Sequence, residues 1–291
     1  MIKKRFAENL MKNIFLIAAC TSVLAVALIC FFLFTGGVPA IIEIGVPEFI
    51  TGLNWRPNNN VFGILPMIIG SIYITLGAII VGVPIGVLTA VYMAEYCPKK
   101  VYKLLKGATE LLAGIPSVVY GFFGLVLVVP IIREIGLSLG FPGNGNSMLT
   151  AAILLGIMIL PTIIGVTEAT IRQVPRSYYE GALALGATKE RSIFSVIIPA
   201  CKSGVVAAVV LGIGRAIGET MAVIMVAGNQ PRIPNGIFEG VRTLTANIAL
   251  EMGYAADLHK DALIATAVVL FVFILLINLI VSVLNRRSKN V

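Results

Sequence analysis

The sequence predicts an all-α integral membrane protein with six membrane-spanning helices. Three observations predict it: the composition, the length of the uncharged runs, and the alternation of basic residues between their ends. Of 291 residues, 58% are hydrophobic and 12% are charged, with mean hydropathy +0.98. Soluble chains carry about 25% charged residues. The 22 basic and 14 acidic side chains here cannot cover a soluble domain of this size. An ordinary soluble enzyme and a disordered chain are both excluded.

A spanning helix needs about 20 mostly apolar residues. The first run, uncharged between Lys12 and Glu43, follows a basic start as a signal peptide would. It is about twice the length of a signal h-region and is read as a span. The next uncharged run, 57–94, is too long for one upright span. Pro66, Pro84 and the glycines at 63, 70, 77, 82 and 86 are expected to divide it into an outer helix and a tilted span. Residues 111–132, 148–167 and 262–285 give three clean spans. Residues 203–227 give the remaining one, interrupted by Arg215 and Glu219. Residues 1–60 are read as an N-terminal segment with the first span and outer loop, and 61–291 as the core.

Orientation follows from the connections. One side holds Lys3, Lys4, Arg5 and Lys12, then Lys99, Lys100, Lys103 and Lys106. It also holds Arg172, Arg176, Lys189, Arg191 and Lys202, and finally Arg286, Arg287 and Lys289. The other side has only Arg56, Arg133, Arg232, Arg242 and Lys260. Sixteen against five places both termini in the cytoplasm. The net charge of +8 is therefore a membrane-orientation signal and implies no nucleic acid. Cys20, Cys30, Cys97 and Cys201 show no CxxC spacing, so no disulfide framework, metal or cofactor is expected. His259, the one histidine, is read as a surface residue of the outer loop 228–261.

Two features exceed what a bundle needs. The connection from Arg172 to Lys202 is long against the usual 2–8 residues. Ser177 and Glu180 suggest a capping box opening a helix, with Tyr178, Ala182 and Leu185 on one stripe. Gly186 is its expected stop, and Pro199 is expected to end a second short helix over 189–198. Such a pair is either a docking surface for another protein or two interfacial helices on lipid. The second feature is the run 212–220 in the fifth span, with Arg215 and Glu219 at i,i+4. A charge at mid-span costs about 2.5–3.5 kcal/mol on insertion scales, and an intrahelical pair offsets part of that. Gly214 and Gly218 form a small-residue stripe suited to close helix packing. The charged stripe is read either as a buried pair fixing helix register or as a polar station on a solute path. An arginine fork suits oxyanions. A carboxylate beside it can accept the P–OH proton of phosphate, which fully ionised sulfate lacks. No phosphate-binding loop of the G-x-x-x-x-G-K-[ST] type and no nucleophile–base pair occurs, so no catalytic residue is assigned.

These residues resemble the permease superfamily of ABC importers. Its cytoplasmic E-A-A-x-x-x-G signature, nine residues, then I-x-L-P is matched by Glu180-Gly181-Ala182 with Gly186, and by Val196-Ile197-Ile198-Pro199. Gly181, Val196 and Ile198 depart from it by small or apolar replacements. The run Arg215-Ala216-Ile217-Gly218-Glu219-Thr220 resembles the R-A-x-G-E-T motif of phosphate permeases. Met221-Ala222-Val223, Gly228-Asn229, residues 112–121 and Thr243-Leu244-Thr245 resemble the C-type subunit. The resemblance covers about residues 62–285.

It implies a type I importer permease bundle of the methionine-permease (MetI-like) kind, transporting phosphate by alternating access. It implies a second permease as heterodimer partner, two ATP-hydrolysing cassette subunits on the cytoplasmic face and an extracytoplasmic phosphate-binding protein, within membrane lipid. Tyr178, Tyr179, Glu180, Gly181, Ala182, Leu185, Gly186 and Pro199 would then couple to the ATPase, and Arg215, Glu219 and Thr220 would serve translocation. The A-type subunit, another oxyanion such as sulfate or molybdate, and a proton-coupled transporter using Glu219 remain open at this level.

Overall fold

The structure, a computed structural model, describes residues 2–287; Lys289 of the C-terminal basic cluster lies outside them. Helix α1 (Ile2–Ile44) is followed by the short α2 (Val46–Thr51) and a two-stranded antiparallel turn, β1 (Trp55–Arg56) with β2 (Val61–Phe62). Then come α3 (Leu65–Val91), prolonged to Tyr96, and α4 (Lys99–Gly114). Next are α5 (Ser117–Phe123) and α6 (Val129–Ser138), joined through a π-turn into one rod, and α7 (Met148–Arg172). The short helices α8 (Arg176–Ala184), α9 (Lys189–Ser192) and α10 (Ile198–Ala200) precede α11 (Lys202–Gly218) and α12 (Met221–Val226). Finally α13 (Leu244–Glu251) leads to α14 (Asp257–Arg287).

Five of these rods are long and apolar enough to cross a membrane. The stretch Lys189–Ala200 with Lys202–Gly218, bent by 71°, passes the same test as a pair and makes a sixth when the bent pair is taken as one span. Among the described residues, helix dominates and the sheet is confined to the β1–β2 pair. The six-span helical architecture is as the sequence predicts, with boundaries that differ in four places.

The run 57–94 is not divided. Pro66 lies in the first turn of α3, where its missing N–H has no helical partner to lose, and α3 runs on through Pro84. The third span begins at Ser117 rather than at 111, because Ile115 and Pro116 are extended and end α4 as a separate amphipathic helix. The fifth span is neither straight nor continuous. It bends at Cys201 and stops at Gly218, where Glu219 turns extended (φ −70°, ψ 130°). The outer loop 228–261 is not a plain loop either, since it holds α13, where Leu244, Ala246 and Asn247 are fully buried, and the first turn of α14.

The core is α7. Leu154, Leu155, Met158, Ile159 and Ile163 are all at most 2% exposed. Helix α3 lies against it in parallel. Gly82 faces Gly156 and Ile159, so a Cβ there would sit 2.7 Å from the Gly156 carbonyl oxygen. Glycine at this position sets the distance between the helix axes. Helix α11 crosses the same rod in the other direction, with Gly212 against Ile163. Helix α1 is peripheral. It touches α14 through Gly37 against Ala265 and through the edge-on ring pair Phe34–Phe271, and leaves most of its length exposed. The ends of α3 and α7 and the start of α11 share one end of the bundle, the basic end.

Candidate functional site

The α8–α10 hairpin stands at the basic end. Its start differs from the expected capping box: Pro175 is the N-cap of α8, and the Ser177 side chain caps nothing. Its stop is as expected. Gly186 takes φ 84°, its N–H reaches the Leu183 carbonyl at 2.9 Å, and the Ala187 N–H reaches the Ala182 carbonyl at 3.1 Å. This paired closure is the Schellman stop, and the left-handed residue in it favours glycine. Thr188 then caps α9 by accepting from the Arg191 N–H. Pro199 does not end this second helix, which runs to Ala200 and turns at Cys201.

The hairpin has two faces. Tyr179 packs inward with Val91, Ile171, Ile193 and Ile197 and anchors it to the bundle. Tyr178 and Leu185 point away; Leu185 is 91% exposed. Glu180 and Gly181 are exposed beside them, with Ala182 half-buried, and a Cβ on Gly181 would meet nothing.

The second site lies in the bundle. Arg215 donates from Nη1 to Thr162 Oγ1 at 3.4 Å. Thr162 is 14 residues from the start of α7 and 10 from its end, about 21 Å and 15 Å at 1.5 Å per residue, which puts Arg215 near mid-depth. The expected Arg215–Glu219 pair does not form among the described residues, and the physical reason is the end of α11. An i,i+4 pair needs continuous helix, and Glu219 is already outside it. Its Oε1 instead accepts from the Thr220 N–H at 3.2 Å and the Ala222 N–H at 3.3 Å, capping α12. The Thr220 hydroxyl donates to the Gly218 carbonyl. Arg215 is thus held by one neutral partner, with the rest of its donor fork uncommitted among the described residues. Gly214 and Gly218 face open space, so the close approach between α11 and α7 uses Gly212 instead.

Two carboxylates that the sequence reading passed over are better tied than either of these. Glu168, 2% exposed, accepts from Tyr102 at 3.0 Å, from Lys106 at 3.2 Å and from Arg172, joining α4 to α7 at the basic end. At the opposite end, Glu251 Oε2 accepts from Trp55 Nε1 at 2.8 Å and lies 2.9 Å from His259 Nε2, while Oε1 takes Arg242 Nη1 at 2.6 Å. Burial alone would push the Glu251 carboxyl up; the hydrogen bonds from Trp55, His259 and Arg242 outweigh it and leave the group below the usual range. His259 is therefore not a loop surface residue. It sits in the first turns of α14, its side chain 15% exposed, stacked on Phe62. The signal for Glu168 was its place four residues before Arg172 at the end of a span. For Glu251 no local signal exists, since Trp55 is 196 residues away.

Helices long and apolar enough to cross a membrane, an arginine near mid-depth and an exposed hairpin together make a helical membrane protein. The chain belongs to the family described as binding-protein-dependent transport system inner membrane component, which matches residues 82–290. It is thus a multi-pass permease subunit of an ABC importer. The probable ABC transporter permease protein YqgH of Bacillus subtilis is 38% identical over 94% of this chain and 90% of its own length. The phosphate transport system permease protein PstC of Mesorhizobium japonicum is 36% identical over 84% and 80%. The probable phosphate transport system permease protein PstC of Methanocaldococcus jannaschii is 31% identical over 87% and 85%. The resemblance to C-type phosphate permeases thus extends across most of the chain. Among solved structures, the inward-facing MetNI methionine ABC transporter superposes with TM-score 0.63 at 18% identity, over 81% of this chain and 99% of that one. A bacterial importer of the acidic polysaccharide alginate gives 0.60 at 17% identity over 97% and 99%. The fold is that of type I importer permeases.

Proposed function

We propose that this chain is one of two permease subunits of an ATP-driven phosphate importer, with the basic end and both termini in the cytoplasm. The observation that carries the reading is Arg215. It is a guanidinium at mid-depth, released from Glu219 by the helix break, with its other donors uncommitted among the described residues. In low dielectric such a fork binds a tetrahedral oxyanion through paired charge-assisted hydrogen bonds. Glu219 stands four residues on and accepts the P–OH proton that phosphate retains at neutral pH. Thr220 adds a hydroxyl. Relatives named for phosphate transport support this substrate.

A second permease covers the open Gly214 and Gly218 face, and the two chains form the pathway between them. Two ATPase subunits seat on Tyr178, Glu180 and Leu185, with Tyr179 transmitting their movement into the bundle. A binding protein delivers phosphate at the opposite end. ATP-driven closure then rocks the spans between outward and inward states. Release requires a site that holds phosphate weakly, in keeping with a single arginine.

Uptake of labelled phosphate by vesicles holding the chain with its co-expressed neighbours tests this, with and without ATP and with excess sulfate. ATP-dependent uptake that sulfate leaves intact is the expected result. Strong sulfate competition overturns the phosphate assignment, and uptake indifferent to ATP overturns the ATP-driven mechanism.

A further inference from the structure

Helix α13 is buried over residues 244–247 and again at Glu251, yet neither the hairpin nor the mid-depth site contains it. Its eight residues span about 12 Å. Leu244, Ala246 and Asn247 are 0% exposed, Thr245 is 8% and Glu251 is 6%. Both of its ends are fastened. At the C-terminal end, Glu251 gathers donors from three elements: Trp55 of β1, Arg242 of the preceding loop and His259 of α14. Arg242 also donates to Asn247 Oδ1 at 3.0 Å and to the Asn229 carbonyl at 3.0 Å. At the N-terminal end, Thr243 caps the helix and the Leu244 N–H reaches Ser71 Oγ of α3 at 3.0 Å. The Thr245 hydroxyl donates to the carbonyl of Glu219 at 3.0 Å.

That last bond falls on the residue where the fifth span breaks. The break is what separates Glu219 from Arg215 and turns its carboxylate onto α12. A helix clamped to the outer cluster at one end thus holds the broken strand of the pathway at the other. Beside the outer cluster opens a cleft of about 620 Å³, lined by Arg56, Asn58, Asn59, Tyr254 and His259 as well as Glu251. Its side chains are ready to hydrogen-bond a polar protein surface, and any contact there bears directly on the partners of Glu251.

We propose that Thr245 and Glu251 are positioning residues of the translocation site: α13 carries the docking of the binding protein at the outer cleft to the Glu219 break. This rests on the reading of Arg215 and Glu219 as the pathway. Docking that draws on Trp55 or His259 moves Glu251, α13 moves as one rigid piece, and the Thr245 hydroxyl shifts the Glu219 backbone. The coupling runs from the hydrogen bonds of Glu251 at one end of a single short helix to that of Thr245 at the other.

The test uses the complete importer, with ATPase subunits and binding protein, in vesicles. Thr245→Val removes the hydroxyl at nearly constant shape, and Thr245→Ser restores it. The readout is phosphate moved per ATP hydrolysed at saturating binding protein, in complexes shown to be intact by size exclusion. T245V is expected to lower that ratio about threefold to tenfold, the effect of one hydrogen bond, and T245S to return it to the wild-type value. Trp55→Phe, which keeps the ring and removes the indole donor, is expected to lower it in the same way. The double variant W55F/T245V is expected to be no worse than the poorer single, because both act on one strut. T245V at the wild-type ratio, or losses that multiply in the double variant, overturns the proposal. Arg215→Lys run in parallel separates the two levels. If R215K leaves uptake unchanged, the pathway reading falls. If R215K abolishes uptake and T245V is silent, the strut alone falls.

Discussion

Glu219 has a structural job that has to be separated from any role in transport. Its Oε1 accepts the N–H groups of Thr220 and Ala222 at the start of α12. Removing a side-chain cap costs about 1–2 kcal/mol, and an anion at a helix N-terminus adds about 0.3–1 kcal/mol. Glu219→Ala loses both, so a destabilisation of about 2 kcal/mol is expected. At roughly 2–4 °C per kcal/mol for chains of about 150–250 residues, and less for one of 291, that lowers Tm by at most about 4–8 °C. Glu219→Gln keeps an acceptor oxygen in place and loses only the charge, so Tm should fall by about 4 °C at most. Thermal melts of the purified chain followed by circular dichroism measure both, and phosphate uptake is measured on the same variants. The expected pattern is E219A unstable and inactive, E219Q stable and inactive. E219Q as unstable as E219A would refute the capping account, and E219Q with full uptake would show that the charge takes no part in transport.

Three further expectations concern packing and pH. Gly82→Ala places a methyl 2.7 Å from the Gly156 carbonyl oxygen; overpacking of about 1–3 kcal/mol exceeds the gain of about 1 kcal/mol in helix propensity. Gly165→Ala, which meets nothing, should be neutral or stabilising in the same melts of the isolated chain. Gly186→Ala forces a side chain into φ 84°, at about 1–2 kcal/mol, and should weaken pull-down of the ATPase subunit, whereas Gly181→Ala should not. Glu251 has a lowered pKa, so its stabilisation is fully present above the unfolded value of about 4.3 and is lost as pH falls through the lower folded value. Melting temperature against pH should therefore show an acid limb below about pH 4 that Glu251→Gln flattens.

Much of the architecture was legible because membrane insertion acts on local sequence. Uncharged runs of sufficient length must cross, and basic clusters fix their alternation, so six crossings followed without tertiary information. The Gly186 stop was legible for the same local reason. The breaks were less so. Ile115 and Pro116 end α4 inside a run that hydropathy reads as continuous, and Pro84, an equal breaker on paper, is absorbed because α7 packs beside it. The Arg215–Glu219 pair failed since i,i+4 geometry assumes a helix that ends one residue too early. The Glu251 cluster was beyond reach, as its donors come from residues 55, 242 and 259 and only the folded chain unites them.

The placement of α1 also sets an order of events during synthesis. It leaves the ribosome well before the surface it fits, α14: Gly37 lies on Ala265, and Phe34 meets Phe271. Roughly 200 residues separate the two helices, about 10–40 s of translation at 5–20 residues per second. Throughout that interval the first span lacks its α14 surface, and its long apolar face, exposed even in the finished chain, suits it to lipid. The layer of Phe49, Trp55 and Phe62 against Ala262 and Leu263 closes only when α14 arrives. A chain cut short before α14 would therefore leave the first span inserted but undocked, a defect that quality control can recognise.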